Sequence, residues 1–192
     1  MYNKVMVIDT SSSAASIAVF ENGILIGESG LHSKTTHSIK FMPLLDALMK
    51  QLELKISDID AYYVCEGPGS FTGVRIGIST VKGFAQPFHT PIYTFTSMYL
   101  LASAMRHVEG LIVPMIDAKR SEVYYGVYKW SDGSLVCLEE GVASVAEIMQ
   151  QVKDKYAAER YTWIGDGVLN YREMLSFESN EDRKSTRLNS SH

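Results

Sequence analysis

Cysteine is scarce in this chain of 192 residues, which has only Cys65 and Cys137. They lie far apart, without His or Cys neighbours at metal-ligand spacing, which excludes a disulfide scaffold and a cysteine-based metal site. Long hydrophobic runs are also lacking, because the first apolar stretch, Val5 to Ile8, is strand-sized and ends at Asp9. The sequence predicts no secretory signal and no bilayer-spanning segment, and we expect a cytoplasmic protein that does not enter a membrane.

Positive charge is in short supply, since 18 Lys and Arg face 22 Asp and Glu, for a formal net charge of -4. Proteins that grip nucleic acid unaided cluster Lys and Arg against its phosphates. The acidic balance therefore argues against nucleic-acid binding by this chain alone. Apolar residues, by contrast, make up 46% of the sequence, which excludes intrinsic disorder and is enough for one domain or two small lobes.

The final stretch, Asp182 to His192, is polar, has no apolar period and follows a helical pattern that has found no cap. Its residues match the in-frame translation of a common sequencing-library adapter. We expect residues 182–192 to be an artefact of that origin, which implies a C-terminally truncated gene, and we leave them out of fold reasoning. A natural polar tail is the alternative.

Apolar patterning predicts two rounds of one β-β-β-α unit, each opening with a buried strand that ends in Asp. The first round comprises strands Val5 to Asp9, Ser16 to Phe20 and Ile24 to Gly27, helix His37 to Leu52, strand Ala61 to Glu66, helix Val74 to Phe88, strand Pro91 to Phe95 and helix Ser97 to Arg106. The second comprises strands Leu111 to Asp117, Glu122 to Tyr128 and Leu135 to Glu139, helix Val145 to Tyr156, strand Tyr161 to Ile164 and an unfinished helix from Leu169. We expect an α/β protein with one lobe over 1–106 and a partial second lobe over 107–181.

A possible phosphate-binding turn, Asp9-Thr10-Ser11, follows the first strand. A carboxylate there can hold a metal-bound water while turn amides and hydroxyls meet phosphate oxygens, as in the actin, sugar-kinase and heat-shock-chaperone superfamily. Simple capping of the strand end is an equal alternative. The second-round counterpart at Asp117 lacks the glycines that would admit a phosphate. A nucleotide-dependent enzyme, a small kinase or metallohydrolase using Asp9 and Asp117, remains an alternative function.

The stretch Gly67 to Gly77, Gly-Pro-Gly-Ser-Phe-Thr-Gly-Val-Arg-Ile-Gly, is the most specific motif. It matches neither a P-loop nor a dinucleotide fingerprint, and it predicts a sharp strand-to-helix turn with Ser70 or Thr72 as N-cap. Its later glycines share a helix face that another helix can approach closely. We therefore predict a partner interface there, with packing against the chain's own sheet as the alternative. The predicted interface residues are Phe41, Leu45, Gly73, Val74, Gly77, Ile78 and Val81.

Three stretches together resemble the TsaB (YeaZ) family: Ile8 to Ser11, Gly67 to Gly77, and Ile116 to Tyr124. The resemblance extends over Met1 to Leu175. It implies an actin-like (ribonuclease H-like) α/β fold of duplicated β-β-β-α-β-α lobes, with the second lobe incomplete. It also implies a non-catalytic subunit of the complex that makes threonylcarbamoyladenosine in tRNA.

The resemblance implies partners as well. A TsaB subunit pairs through its first-lobe helices with the catalytic paralogue TsaD, which transfers threonylcarbamoyl to the adenosine adjacent to the anticodon. The ATPase TsaE joins them, so ATP is used by the complex, and no cofactor is expected on this chain itself. Transfer RNA would be reached only through the complex, and a homodimer is the expected form without TsaD.

Catalytic and metal-binding residues are not predicted. The resemblance aligns two metal-binding histidines of the catalytic paralogue with Ser97 and Leu101, neither of which is a plausible ligand. Outside residues 182–192 the histidines show no pair four residues apart, and we expect them to be surface or cap residues; they are His32, His37, His89 and His107. Cys65 lies in an apolar strand and is expected to be an inert core thiol.

Overall fold

The computed structural model describes residues 2–32, 37–179 and 186–188. The chain divides into two compact units, Met1–Ser97 and Met98–His192. The lobe limits at residues 106 and 181 remain predictions.

The first unit is a five-stranded sheet with two helices on one face. Its elements are β1 (Lys4–Asp9), β2 (Ala14–Glu21), β3 (Ile24–His32), α1 (His37–Gln51), β4 (Ala61–Cys65), α2 (Phe71–Ala85) and β5 (Ile92–Phe95), with short 3-10 turns at Ile56–Asp58 and Gln86–Phe88. The strand order is β3-β2-β1-β4-β5. The β2–β3 pair is antiparallel, as the hairpin signal at Asn22-Gly23 predicts, and so is the β1–β2 pair. β4 and β5 extend the sheet in parallel.

The core of the first unit lies between the sheet and the two helices. Strand alternation sends Met6 and Ile8 of β1 to this side, where they meet Phe41 of α1 and Val81 of α2. All four side chains are completely buried. The intervening residues of the strands point to the opposite face, where the rings of Tyr63 and Tyr93 stack at 5.0 Å.

The second unit repeats this architecture. Its elements are α3 (Ser97–Ser103), which begins at the last residue of the first unit, β6 (Leu111–Lys119), β7 (Glu122–Ser131), β8 (Ser134–Ser144), α4 (Val145–Lys155), β9 (Tyr161–Ile164), α5 (Asp166–Asn170), α6 (Arg172–Ser179) and β10 (Thr186–Leu188). The order β10-β9-β6-β7-β8 matches the first sheet strand for strand. The duplicated actin-like, ribonuclease H-like α/β class is therefore confirmed.

Both faces of the second sheet are covered. Residues of α4, α5 and α6 pack on one face, around Val113 and Trp163. On the other face, Met98 and Ala102 of α3 pack against Tyr128. None of the described helices is long and apolar enough to cross a membrane.

Part of the predicted artefact contributes to the second sheet. Of residues 182–192 the structure describes only 186–188, which pair in parallel with β9 as β10. The edge of β9 offers unpaired N–H and C=O groups to any extended segment. The rest of 182–192 lies outside the described residues, and its adapter origin stays a prediction.

Candidate functional site

The turn at the end of β1 is held by internal hydrogen bonds. Asp9 is half-buried, and its Oδ1 accepts a bond from the Ser11 amide at 2.8 Å. Thr10 and Ser11 are 0% and 4% exposed. The Thr10 hydroxyl donates to the Gly73 carbonyl at 2.7 Å, and the Ser11 carbonyl accepts from the Ser70 amide at 2.6 Å. Strand-end capping is thus directly visible, and nucleotide contact by these three residues stays a prediction.

The glycine block is a close-packed turn into α2. Ser70 is the N-cap, and its hydroxyl accepts from the Gly73 amide at 3.2 Å, so one of the two predicted N-caps is confirmed. The helix begins at Phe71 and ends at Ala85, three residues earlier at each end than predicted. A side chain at Gly69 or Gly73 would overlap the backbone carbonyl of Ser11 or Thr10, respectively. These glycines therefore let the helix start lie directly against the end of β1.

Five of the seven predicted interface residues are buried inside the first unit, and their role in partner binding stays a prediction. Phe41, Leu45 and Val81 are 0%, 3% and 0% exposed. Gly73 and Gly77 are buried against Thr10, which directly follows β1, so the chain's own turn fills the glycine face that another helix was expected to approach.

The remaining two interface residues, Val74 and Ile78, are half-buried. Their role in partner binding remains a prediction.

The exposed side of α2 carries residues that the sequence reasoning missed. Phe71 is 75% exposed, and the guanidinium carbon of Arg75 lies 5.1 Å from the centroid of its ring. Both line a shallow groove with Thr72, Ile76 and Ser79. The sequence feature that could have predicted the exposure of Phe71 is its position immediately after the N-cap, where a helix side chain is free to point away from the core.

The second-unit turn holds Asp117 in a different way. Its carboxylate accepts from the Lys119 amide at 2.8 Å, from Lys119 Nζ at 2.9 Å and from Asn170 Nδ2 at 3.1 Å. Lys119 in particular keeps the pKa of Asp117 below its ordinary value. Three successive residues without glycine's freedom, Lys119, Arg120 and Ser121, take positive φ angles of 68°, 56° and 65°. This turn is strained and internally satisfied.

The two aspartates are not structural counterparts. Ile8 packs on the α1–α2 side of its sheet, so the next residue, Asp9, points to the face without those helices. Ile116 packs with α3, so Asp117 points to the α4–α5 side, where Asn170 contacts it. Asp9 is the last residue of β1, whereas β6 continues for two residues beyond Asp117, and the two side chains point to opposite sides of their sheets. This difference does not favour a symmetric nucleotide clamp.

Residues aligned by the resemblance with metal-binding histidines serve packing instead. Ser97 is 5% exposed, and its hydroxyl donates to the Pro68 carbonyl at 2.5 Å. Leu101 packs with the α3 core. Over residues 2–32, 37–179 and 186–188 no group of three His, Cys, Asp or Glu residues is placed to hold a metal ion.

The other singled-out side chains behave as expected from sequence where the structure describes them. His32, His89 and His107 are exposed, whereas the side chain of His37 lies outside the described residues. Cys65 is fully buried, and this burial raises the pKa of its thiol to about 11, which confirms a core thiol.

Comparisons with known proteins agree with this geometry. The family model described as TsaD: tRNA N6-adenosine threonylcarbamoyltransferase matches residues 31–181. The tRNA threonylcarbamoyladenosine biosynthesis protein TsaB of Bacillus subtilis (strain 168) is 35% identical over 153 residues, which are 79% of this chain and 66% of that protein. The protein of the same name from Escherichia coli (strain K12) is 28% identical over 83% of this chain and 72% of its own length. The chain thus spans about two thirds of the B. subtilis relative.

Solved structures show the same similarity. A crystal structure from Pseudomonas aeruginosa, of an uncharacterized protein with similarity to peptidase YeaZ, superposes with a TM-score of 0.81 at 27% identity, covering 99% of this chain and 85% of that one. YeaZ from P. aeruginosa superposes with a TM-score of 0.75 at 26% identity, covering 89% and 79%.

Proposed function

The chain belongs to the TsaB (YeaZ) family, and on that premise we propose that it is the non-catalytic subunit of the tRNA threonylcarbamoyladenosine synthesis complex. In this role it binds and activates the catalytic paralogue TsaD, which transfers threonylcarbamoyl to the adenosine adjacent to the anticodon. The observation that carries the proposal is the 35% identity to a B. subtilis protein named for this biosynthesis.

An accessory role is supported by what the conspicuous polar groups do. The hydroxyls of Thr10 and Ser97 donate hydrogen bonds to backbone carbonyls of the first unit, and Asp117 forms an ion pair with Lys119. These groups stabilise turns instead of facing an open pocket. Chemistry is then supplied by the paralogue, ATP turnover by TsaE, and this acidic chain contacts tRNA only as part of the complex.

The direct test is reconstitution of the modification. Purified TsaD, TsaE, substrate tRNA, threonine, bicarbonate, ATP and the enzyme that makes threonylcarbamoyl-adenylate are incubated with and without this chain, and the modified nucleoside is quantified by mass spectrometry. We expect product only when both TsaD and this chain are present. Equal product without the chain contradicts the proposal, as does product formed without TsaD.

A titration separates this function from a nucleotide-dependent enzyme. We expect calorimetry of the isolated chain with Mg-ATP to show no tight binding. Tight binding that Asp9→Asn abolishes would favour the enzyme instead.

A further inference from the structure

The turn between β6 and β7 differs from the other two-residue hairpin turns of the described chain. The β2–β3 and β7–β8 hairpins turn at Asn22-Gly23 and Asp132-Gly133, with φ angles of 51° and 80° in the first and 50° and 76° in the second. Tight hairpins of this kind need positive φ at both central residues, which explains the preference for Asn-Gly and Asp-Gly. The β6–β7 hairpin adopts the same conformation with Arg120-Ser121, at φ angles of 56° and 65°.

Arginine at the first position of this turn is unfavourable for the fold. At positive φ a side chain crowds its own backbone, and only glycine, asparagine and aspartate adopt this conformation readily. Lys119, directly before the turn, also has a positive φ of 68°. Because the same chain forms two relaxed turns elsewhere, the hairpin architecture does not require arginine here. Arg120 is exposed, so packing does not require it either. Strain kept at such a position indicates that the side chain itself has a function.

The guanidinium of Arg120 is available for binding, and its turn is fixed at the base. Lys119 is engaged with Asp117, at 2.9 Å from Nζ to Oδ2, and Asn170 donates to the same carboxylate at 3.1 Å. Among the described residues no carboxylate forms an ion pair with Arg120, not even Glu122 two residues later. The hairpin therefore presents one uncompensated cation at its tip.

The chemistry of this tip fits a phosphate better than a protein surface. The exposed run from Lys119 to Glu122 contains no apolar side chain, whereas protein interfaces are centred on buried aromatic and aliphatic residues. Contacts to a nucleic-acid backbone need no apolar surface, because arginine binds the oxygens of a phosphodiester through its planar fork. The tip also holds its positive charge at the end of a hairpin, on a chain whose net charge of -4 otherwise repels RNA.

We propose that Arg120 binds a phosphodiester of the tRNA backbone when this chain is part of the complex with TsaD and TsaE. The inference rests on the proposed function and adds a direct contact with the substrate. The contact positions the tRNA and carries no sequence information, since phosphates are common to all tRNAs. It is formed by a side chain at the outside of the turn, so it does not need the glycines that a phosphate inside the turn requires. One such contact is too weak to retain tRNA without the partners.

The test measures tRNA binding by the complete complex, with Arg120 changed to a residue that relaxed turns use. We expect Arg120→Asn to weaken binding by about threefold to tenfold and to reduce the slope of log affinity against log salt by about 1. The loss should be equal for substrate and non-substrate tRNAs. The same variant should raise the Tm of the chain, because asparagine relieves the backbone strain. A merely structural role would move stability and binding in the same direction.

Two matched variants serve as controls. Ser121→Gly relaxes the second position of the same turn and keeps Arg120, so it should raise the Tm and leave tRNA affinity unchanged. Arg160→Asn removes the same charge at the opposite end of β6, where the Arg160 carbonyl accepts from the Leu111 amide. Its complex should bind tRNA within about twofold of the unaltered one, because a distant exposed charge is screened by salt.

The outcomes separate this inference from the function on which it rests. If the unaltered complex binds and modifies tRNA, and the Arg120→Asn complex binds with the same affinity and salt slope, the contact is wrong and the function stands. If Arg120→Asn releases the chain from TsaD or TsaE, the turn contacts a protein and the inference is overturned. Weaker binding of Mg-ATP with unchanged binding of tRNA overturns it as well, because the phosphate is then that of a free nucleotide. If the unaltered chain neither joins the complex nor supports modification, both the function and the inference fail.

Discussion

The carbonyl oxygens of Ser11 and Thr10 limit the room at two glycines of the Gly67 to Gly77 block, Gly69 and Gly73. At Gly73 and Gly69 an added methyl group would overlap backbone atoms of β1's terminal turn, which cannot move aside. Gly83, in the same helix as Gly73, has nothing within 4 Å of the position where a Cβ would stand. One helix thus contains both a glycine that is required and one that is not.

This contrast predicts opposite effects of one substitution at two positions of α2. Gly73→Ala should lower the free energy of unfolding by about 1 to 3 kcal/mol or more, the range for overpacking. Gly83→Ala should raise it by roughly 0.5 to 1 kcal/mol, because alanine loses less backbone entropy in a helix. Urea denaturation followed by circular dichroism measures both changes. Equal effects at the two positions would contradict the packing of α2 on β1.

Among the helices, α4 has a first turn whose stability depends on pH through one carboxylate. The Ser144 hydroxyl accepts from the Glu147 amide at 3.3 Å, while the Glu147 carboxylate accepts from the Ser144 amide at 2.9 Å. This reciprocal capping box satisfies two amides at the helix start. The bond from the Ser144 backbone, followed by the one from its hydroxyl, lowers the pKa of Glu147 below its ordinary value.

Because the pKa of Glu147 is lower in the folded chain than in the unfolded chain, its capping contribution to stability is complete above the unfolded-chain pKa. The contribution is lost as pH falls through the folded-chain pKa. We therefore expect the first turn of α4 to fray as pH is lowered below 4.5, the ordinary value for this carboxyl. Amide hydrogen exchange of residues 145–148, followed from pH 7 to pH 3 and corrected for intrinsic rates, measures it. In Glu147→Gln the pH-dependent component should vanish; an unchanged pH dependence in that variant would assign it to another group.

The elements show where sequence reasoning succeeds. The turn residues Asn22-Gly23 between two strand-like stretches sufficed to predict the β2–β3 hairpin. Ser70 was recognisable as a candidate N-cap because its hydroxyl needs only a local partner. The burial of α2 was not predictable, because apolar residues occur on more than one of its sides and periodicity does not say which side meets the sheet. The same limit left Phe71 unnoticed and placed Gly77 in an interface.

At the scale of the whole molecule, the repeated sequence pattern indicates two similar units. It does not make the turns at Asp9 and Asp117 equivalent sites. Two rounds of one pattern predicted two similar units, and the structure shows two sheets whose strand orders match. The side to which a strand residue points depends on its place in the alternation, and Asp9 ends β1 whereas β6 runs two residues past Asp117. Asp9 and Asp117 consequently look alike in sequence while facing opposite sides of their sheets.

The charge of the molecule makes a prediction about tRNA. With a net charge of -4, the isolated chain should not shift tRNA in a gel at physiological salt, because affinity for nucleic acid depends mainly on neutralising phosphates. The complete complex with TsaD and TsaE should shift the same tRNA. A salt-sensitive shift by this chain alone would show that it contacts tRNA directly.

The scarcity of cysteine makes the two thiols a pair of reporters on the two units. Cys137 is exposed, whereas Cys65 is buried at the end of β4. A thiol-reactive dye should therefore modify Cys137 in the folded chain and Cys65 only when the first sheet opens, so that the Cys137→Ser variant measures that opening alone. Binding of TsaD to the first-unit helices should slow the modification of Cys65, and a rate that stays unchanged at saturating TsaD would show that the partner does not stabilise this sheet. The modification rate of Cys65 thus reports on the stability of the unit that is proposed to bind the partner.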